Sequence, residues 1–373
     1  MPRLVCEGDL DDVARGAAVL GTGGGGNPYI GKLLAQQAIR RHGPVTLVDV
    51  EEVPDDALIA QSAMMGAPTV MVEKVPAGDE ARTAFEALQA FLGRPITHVT
   101  CGEAGGINST IPFVVAASMG LPLADADGMG RAFPELQMLI PSMCGIPATP
   151  MAIADEKGNV GIFRTVDNHW TERLARSATI DMGCTALIAL YAMSGRQLKK
   201  TAVRGTLSLA QALGQAVREA NRAHRDAVAE LCRRLRGRLL FRGKVSDVWR
   251  RTEAGFAKGA ARMDGLGGCA GSALEVRFQN EHLLAIRDGH VVASVPDLII
   301  VLDAETGEPI TTEEIRYGHR VVVLGAPCDP RWRTPQGLKL VGPRYFGYDL
   351  DYRPLEERRP GGCAAGAGGS AAR

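Results

Sequence analysis

The hydrophobic and polar positions of residues 1–165 follow two periods that alternate along the chain. Short apolar runs of strand length are separated by longer segments in which apolar residues recur with helical spacing. The predicted strands cover 45–50, 57–66, 97–101 and 121–127. The predicted helices cover 13–20, 29–43, 79–92 and 108–119. Strands that alternate with helices of this length predict a parallel, doubly wound α/β sheet.

The pattern changes after about residue 150. A hairpin that turns at 157–159 is followed by two segments with helical spacing, at 169–182 and 208–235. Residues 273–325 then read as antiparallel strands, with a turn signal at Asp288-Gly289. This part of the chain is therefore predicted to be rich in β-structure, as a small barrel or sandwich.

A length of 373 residues is enough for two domains that each bury a core of their own. We expect an α/β domain over 1–165, with the glycine-rich loop and the acidic residues discussed below. We expect a β-rich C-terminal domain with a helical insertion over 166–355. The last residues, 356–373, are dominated by glycine and alanine and are expected to form a disordered tail.

Charge and composition narrow the function classes. The 42 basic and 42 acidic side chains cancel, which argues against a broad surface for nucleic acid or anionic membranes. No apolar stretch reaches the roughly 20 residues of a membrane span. The start of the chain lacks the apolar core of a signal peptide, and the eight cysteines include no CxxC pair. We expect a cytoplasmic protein whose partner is a small molecule.

A glycine-rich loop occupies Gly21–Gly26 and precedes a predicted helix. The loop matches the GxGxxG fingerprint of dinucleotide-binding sites, and Asp49 follows it at a suitable spacing. In those sites, however, the glycine loop directly follows a strand. The residues before Gly21 have helical spacing instead, so neither nicotinamide nor flavin is expected. The loop's backbone N–H groups could hold an anion or a developing oxyanion, at Gly23, Gly24, Gly25 and Gly26. The alternative is a tight turn between two helices.

A second group of polar residues falls where the third and fourth predicted strands end. Its members are Glu103, Asn108, Asp125, Asp127, Arg131 and Glu135. In an open α/β sheet these strand ends face the ligand crevice. Asp125 and Asp127 are two residues apart, so on a strand they share one face. Such paired carboxylates can divide general-base and orienting roles. Asp125, Asp127 and Glu135 could also hold a divalent cation, which the sequence does not require. The alternative is a structural salt-bridge cluster.

Four segments together resemble one protein family. They are LGTGGGGNPYIGK (20–32), MMGAPTVMVEK (64–74), EAGGINSTIPFVVAASMGLPLADADGMGRAFPELQM (103–138) and GPRYFGYDLDYRP (342–354). The chain resembles, over residues 5–355, the DUF917 family, which is named for S-methyl thiohydantoin desulfurase and often found beside hydantoinase/oxoprolinase-type proteins. The resemblance implies an N-terminal α/β domain and a mostly β C-terminal domain. It also implies a hydrolase that removes sulfur from a five-membered thiohydantoin ring, yielding a hydantoin and a thiol.

The motif positions implied as site residues are those of the glycine loop and the acidic group. In our hypothesis Glu103 or Asp127 is the general base, Asn108 and the loop N–H groups stabilise charge on the ring, and Arg131 binds a substrate carboxylate. A second hypothesis is a non-catalytic binding subunit that works with a hydantoinase/oxoprolinase-type partner. Homo-oligomers also fit. A third is a nicotinamide-dependent oxidoreductase, which requires a strand directly before Gly21.

Overall fold

A mixed sheet of eight strands forms the centre of the N-terminal half of the protein. The computed structural model describes residues 2–66, 70, 74, 76–253 and 255–358. The strands up to residue 204 are β1 (Arg3–Val5), β2 (Val45–Val48), β3 (Leu58–Gly66), β4 (His98–Cys101), β5 (Leu123–Ala124), β6 (Ala126–Asp127), β7 (Met151–Ala154), β8 (Val160–Phe163), β9 (Thr185–Ser194) and β10 (Val203–Arg204). The sheet order is β1-β2-β5-β4-β3-β9-β7-β8, and β6 pairs with β10 separately.

The predicted α/β class is confirmed, with a parallel centre and antiparallel edges. Strands β2, β5, β4 and β3 run parallel. Strand β1 pairs antiparallel with β2 on one side, and on the other side each of the pairs β3–β9, β9–β7 and β7–β8 is antiparallel. The parallel strands are buried on both faces, which is why they read as continuous apolar runs. The carboxyl ends of β3 and β4 lie side by side, since Ser62 is paired with Cys101.

Helices pack on this sheet through stripes of apolar residues. In the described part of the first 145 residues, the longer helices are α1 (Leu10–Leu20), α2 (Tyr29–His42), α3 (Glu80–Leu92), α4 (Ile111–Met119) and α5 (Ile140–Met143). Helix α3 shows the principle, because Ala81, Ala84, Phe85 and Leu88 are buried at helical spacing. It ends at Gly93, which takes the left-handed conformation with φ of 66°.

A set of helices connects the two halves. They are α6 (Asn168–Asp181), α7 (Gly195–Thr201), α8 (Thr206–Arg222) and α9 (Ala227–Arg234). The single helix predicted over 208–235 is therefore two helices, and the prediction was wrong at the break, where His224 has a φ of 52°. Helices α1 and α8 approach to backbone contact, because a Cβ on Gly16 would lie 1.7 Å from the Ala210 carbonyl oxygen.

The C-terminal half is an antiparallel sheet of seven strands that curls into a half-barrel, which confirms the β-rich prediction. Its order is β15-β14-β13-β12-β11-β17-β16. The strands are β11 (Arg238–Glu253), β12 (Phe256–Gly265), β13 (Ala273–Gln279), β14 (Glu281–Arg287), β15 (His290–Ser294), β16 (Leu298–Asp303) and β17 (Arg320–Ala326), followed by helix α10 (Pro335–Val341). Its inner face carries its own apolar cluster, including Phe241, Val276 and Val323.

Two expectations from the sequence concern the chain as a whole, the lack of a membrane span and the disordered C-terminal tail. In the part of the chain that the structure describes, no helix has the length and apolar character needed to cross a bilayer. Residues 355–357 form a short 3-10 helix. The segment 359–373, which makes up most of the predicted disordered tail, lies outside the described residues.

Candidate functional site

A cavity of about 650 Å³, counting its open mouth, lies where the carboxyl ends of β3 and β4 meet the start of β14. Both halves of the chain contribute to its wall. Most of the wall is apolar, from side chains that include Met64, Met65, Met129, Phe133, Leu136, Leu139, Ile188 and Leu190. Its carboxyl groups are those of Glu103, Glu135, Glu172 and Glu281. An apolar pocket with a few convergent polar groups is the usual form of a small-molecule site.

Glu103 follows β4 and is held in a fixed orientation inside the cavity. Its side chain is only 6% exposed. Oε1 accepts a hydrogen bond of 2.6 Å from Asn108 Nδ2, and Oε2 accepts one of 3.2 Å from the Phe133 N–H. The amide of Asn108 is oriented in turn, because its Oδ1 accepts from the Met64 N–H at 2.6 Å. Burial raises the pKa of Glu103 to about 7.

Glu281 reaches the same cavity from the C-terminal half, and the sequence did not point to it. It follows Asn280, whose φ of 57° breaks the strand predicted through this region. The residue is 2% exposed, and its Oε2 has no hydrogen-bond partner within the described structure. Burial and the charge of Glu103 raise the pKa of Glu281 well above its usual value. These surroundings favour the protonated form of Glu281.

Gln61 is a third polar residue that the sequence did not single out. It lies on β3 with 1% of its surface exposed, and it lines the cavity. No described group hydrogen-bonds to its Oε1. An unpaired buried polar atom is costly unless a ligand or water satisfies it. Together with Glu281 Oε2, it marks the inner end of the cavity as a place where polar ligand atoms would be stabilised.

Asp127 does not line the cavity but hydrogen-bonds to the backbone that forms its wall. Its Oδ2 accepts from three backbone N–H groups, those of Ala104 at 2.7 Å, Met129 at 3.0 Å and Gly130 at 2.7 Å. Burial raises the pKa of Asp127 to about 7. Because Ala104 is next to Glu103 in the chain, Asp127 fixes the turn that carries Glu103.

Asp125 is separated from Asp127 by a change of sheet. The chain leaves the first sheet after Ala124 and pairs with β10 from Ala126, so the two carboxylates do not share a strand face. Asp125 instead accepts from the N–H groups of Leu207 at 2.9 Å and Ser208 at 3.1 Å. Its carboxylate thereby caps the N-terminus of α8.

Arg131 is fully buried and joins the two halves of the chain. Its five N–H groups all donate to the protein itself. The acceptors are the carbonyl oxygens of Ala132, Pro296, Asp297 and His282 and the hydroxyl of Thr22, at 2.7–3.2 Å. No N–H remains for a substrate carboxylate. Glu135 does not pair with Arg131 and instead accepts from the Tyr345 hydroxyl at 2.8 Å and from Gln137.

The glycine loop is wedged between a turn of the first domain and the start of β14. A Cβ on Gly23 would lie 2.4 Å from a ring carbon of His282, and one on Gly24 would lie 2.1 Å from Glu281 Oε1. Of Gly23, Gly24, Gly25 and Gly26, Gly25 lines the cavity. Helix α1 ends at Leu20, directly before the loop, so the strand that a dinucleotide fingerprint needs is not present at this position.

The described residues offer no ready metal site. No group of three or more histidine, cysteine, aspartate or glutamate side chains within them is arranged to hold an ion. Asp125, Asp127 and Glu135, which the sequence grouped as candidate ligands, have the separate partners given above. Lys74, the last residue of the MMGAPTVMVEK segment, pairs with Glu156 at 2.6 Å. Its neighbour Glu73 lies outside the described residues.

Comparisons with known proteins assign both halves of the chain to one family. The family model described as the S-Me-THD-like N-terminal domain matches residues 8–165, and the S-Me-THD-like C-terminal domain matches 166–355. A crystal structure of a protein from Chromobacterium violaceum is similar, with 26% sequence identity and a TM-score of 0.80. That match covers 95% of this chain and 100% of the other. No curated protein matches.

Proposed function

Because the chain belongs to the S-Me-THD-like family, we propose that it is a hydrolase acting on a five-membered S-alkyl thiohydantoin ring. One observation carries the proposal: two buried glutamates, Glu103 and Glu281, face one apolar cavity. Burial raises the pKa of both carboxyl groups, to about 7 for Glu103, and the charge of Glu103 raises that of Glu281 further. A pair of carboxyl groups whose environments separate their protonation states can act as base and acid in one step.

The first step adds water across the carbon–nitrogen double bond of the ring. The Glu103 carboxylate accepts a proton from water as the water oxygen attacks the ring carbon that bears sulfur. Glu281 donates its proton to the ring nitrogen, so no charge accumulates on the ring. The step forms one C–O and one N–H bond, and it leaves Glu103 protonated and Glu281 ionised.

The second step expels the thiol. The hydroxyl proton of the tetrahedral intermediate passes to the Glu281 carboxylate as the carbonyl forms. The C–S bond breaks, and the departing thiolate takes the proton held by Glu103. The products are a hydantoin and a thiol, and both glutamates return to their starting states. The exchange consumes one water and needs no oxidant or reductant.

The neighbouring residues position this pair. Asn108 and the Phe133 N–H hold the Glu103 carboxylate by two hydrogen bonds, which restricts it to one orientation in the cavity. Gln61 supplies a polar group for the ring at the inner end. Asp127 is a positioning residue for the turn at Ala104. Asp125 and Arg131 stabilise the fold around the cavity and take no part in the chemistry.

The decisive experiment incubates the purified protein with an S-methyl thiohydantoin in H₂¹⁸O. We expect methanethiol and a hydantoin that carries one ¹⁸O at the former sulfur position, both measured by mass spectrometry. Glu103→Gln should lower kcat by about 100-fold or more, the usual contribution of a general base. Glu86→Gln, an exposed glutamate on α3, is the matched control and should retain the wild-type rate.

Two outcomes would overturn the proposal. The first is a near-normal rate in a folded Glu103→Gln variant, which would remove Glu103 as the base. The second is tight binding of hydantoins without any release of thiol. That result would favour the non-catalytic binding subunit, and addition of a hydantoinase-type partner would then be the next assay.

A further inference from the structure

The charges around the cavity are unbalanced. Four carboxyl groups line it, as given above, and Arg176 is the one basic residue in the described lining. Arg176 is already engaged: its Nε donates to Glu172, and its Nη2 donates to the Pro134 carbonyl at 3.1 Å. Its guanidinium also lies 4.4 Å from the centre of the Phe256 ring. The cavity thus offers little unpaired positive charge.

Glu135 is the carboxylate of the cavity whose negative charge is not balanced by a neighbouring cation in the described structure. It is half-buried and lines the cavity, and within the described residues no lysine or arginine forms an ion pair with it. The side chains that donate hydrogen bonds to it, those of Tyr345 and Gln137, are both neutral. The charge of Glu135 also contributes to raising the pKa of nearby Glu172, behind the larger effect of burial. A negative field therefore lies on the side of the cavity that carries Glu135, Glu172 and Arg176.

The inner end of the cavity has a different character. Glu103 and Glu281 both line the cavity there, and the buried Arg131 guanidinium interacts electrostatically with both carboxyl groups. The unpartnered atoms Glu281 Oε2 and Gln61 Oε1 are buried at this end and suit the polar edge of a ring. A bound ring at the inner end would leave its substituent to extend along the apolar wall toward Glu135.

We propose that the ring's substituent ends in an ammonium or guanidinium group, which pairs with Glu135. This inference rests on the proposed function and specifies its substrate class. Under this proposal Glu135 determines substrate specificity. A ring with a carboxylate side chain should bind poorly, because that carboxylate would lie next to the uncompensated negative charge of Glu135.

Binding of reaction products tests the inference without relying on turnover. Calorimetry would compare three hydantoins of matched length, with 4-aminobutyl, butyl and 3-carboxypropyl groups at position 5. A charge-assisted hydrogen bond in a partly buried site should make the aminobutyl compound bind about tenfold more tightly than the butyl compound. The carboxypropyl compound should bind most weakly. Raising the salt concentration should reduce both differences.

Variants assign the preference to one residue. Glu135→Gln should reduce the aminobutyl-to-butyl preference from about tenfold to near unity. Tyr345→Phe removes the hydroxyl donor but keeps the carboxylate, and it should keep the preference. The inference is overturned if the carboxypropyl compound binds as tightly as the butyl one, if none of the three binds, or if Glu135→Gln retains the preference. Thiol release from an S-methyl 5-butyl thiohydantoin tests the proposed function separately.

Discussion

At the scale of single residues, surroundings rather than residue type set the chemistry of the glutamates. Hydrogen bonds from Arg233 and Arg234 lower the pKa of the solvent-facing carboxyl of Glu230 to about 2. Burial raises the pKa of Glu103 to about 7. One side chain type therefore serves as a permanent anion on the surface and as a proton acceptor in the cavity.

The pH dependence of the reaction follows from the ionisation of Glu103. If its carboxylate is the base, kcat/KM should rise about tenfold per pH unit below pH 7 and level off above it. The measurement is the rate of thiol release from pH 5 to 8 with a substrate that does not titrate in this range. A profile that levels off near pH 4.5, the ordinary value for a glutamate, would contradict the assignment.

The same ionisation affects stability. The folded-state pKa of Glu103 is raised above its unfolded value of 4.5, so this residue's contribution to stability is fully present below about pH 4.5 and is lost as the pH rises through about 7. Glu103→Gln cannot ionise, so its unfolding free energy should fall less than that of the wild type between pH 5 and 8. Urea denaturation at both pH values provides the test, with Glu86→Gln as a control that should follow the wild type.

Some of these residues could be found from the sequence, and others could not. Glu103 and Asn108 stand just after an apolar run, and strand ends meet at the crevice, so their place in the cavity was predictable. Glu281 lies inside a run that reads as one strand over 273–287. The signal for it is Asn280, a residue that accepts the left-handed conformation and so ends β13. Gln61 could not be identified from the sequence, because it belongs to no motif and its only distinctive property is its burial in the folded protein.

At the scale of elements, the sequence pattern located most strands, but not their partners. The runs at 57–66 and 97–101 became β3 and β4, in parallel as predicted. Strand β9 pairs antiparallel with β3, across more than a hundred residues of sequence. The fourth predicted strand divides at Asp125, because its carboxylate binds the N-terminus of α8. Long-range contacts decided both features, and periodicity contains no information on them.

The cap formed by Asp125 leads to a prediction about α8. Asp125→Ala should lower the unfolding free energy by about 1 kcal/mol, the usual cost of removing an N-terminal cap, and should leave kcat unchanged. The matched control is Asp226→Ala, since Asp226 caps α9 through the Ala229 N–H at 3.0 Å. Urea denaturation and thiol release would be measured on both variants. A large loss of kcat in a folded Asp125→Ala variant would indicate that Asp125 takes part in catalysis.

At the scale of the whole molecule, Arg131 links the two halves of the chain. Three of its five hydrogen bonds reach carbonyl groups of residues 282–297. Arg131→Met would leave these buried carbonyl groups without their hydrogen-bond donors, at a cost of about 3–5 kcal/mol. We expect scanning calorimetry to show a lower Tm and two transitions where the wild type shows one. Arg82→Met, on the exposed face of α3, should unfold like the wild type, and similar behaviour of both variants would contradict the linking role.

Strand β9 also limits how this protein can be divided. It lies within the segment matched by the C-terminal family model, yet it occupies the middle of the N-terminal sheet, between β3 and β7. A gene cut between codons 165 and 166 would therefore cut through one sheet. Expressed alone, the first fragment would keep β7 and β8 with no strand to join them to β3. The halves are consequently poor modules for recombination, but they are natural candidates for fragment complementation, in which co-expression restores a fold that neither piece forms alone.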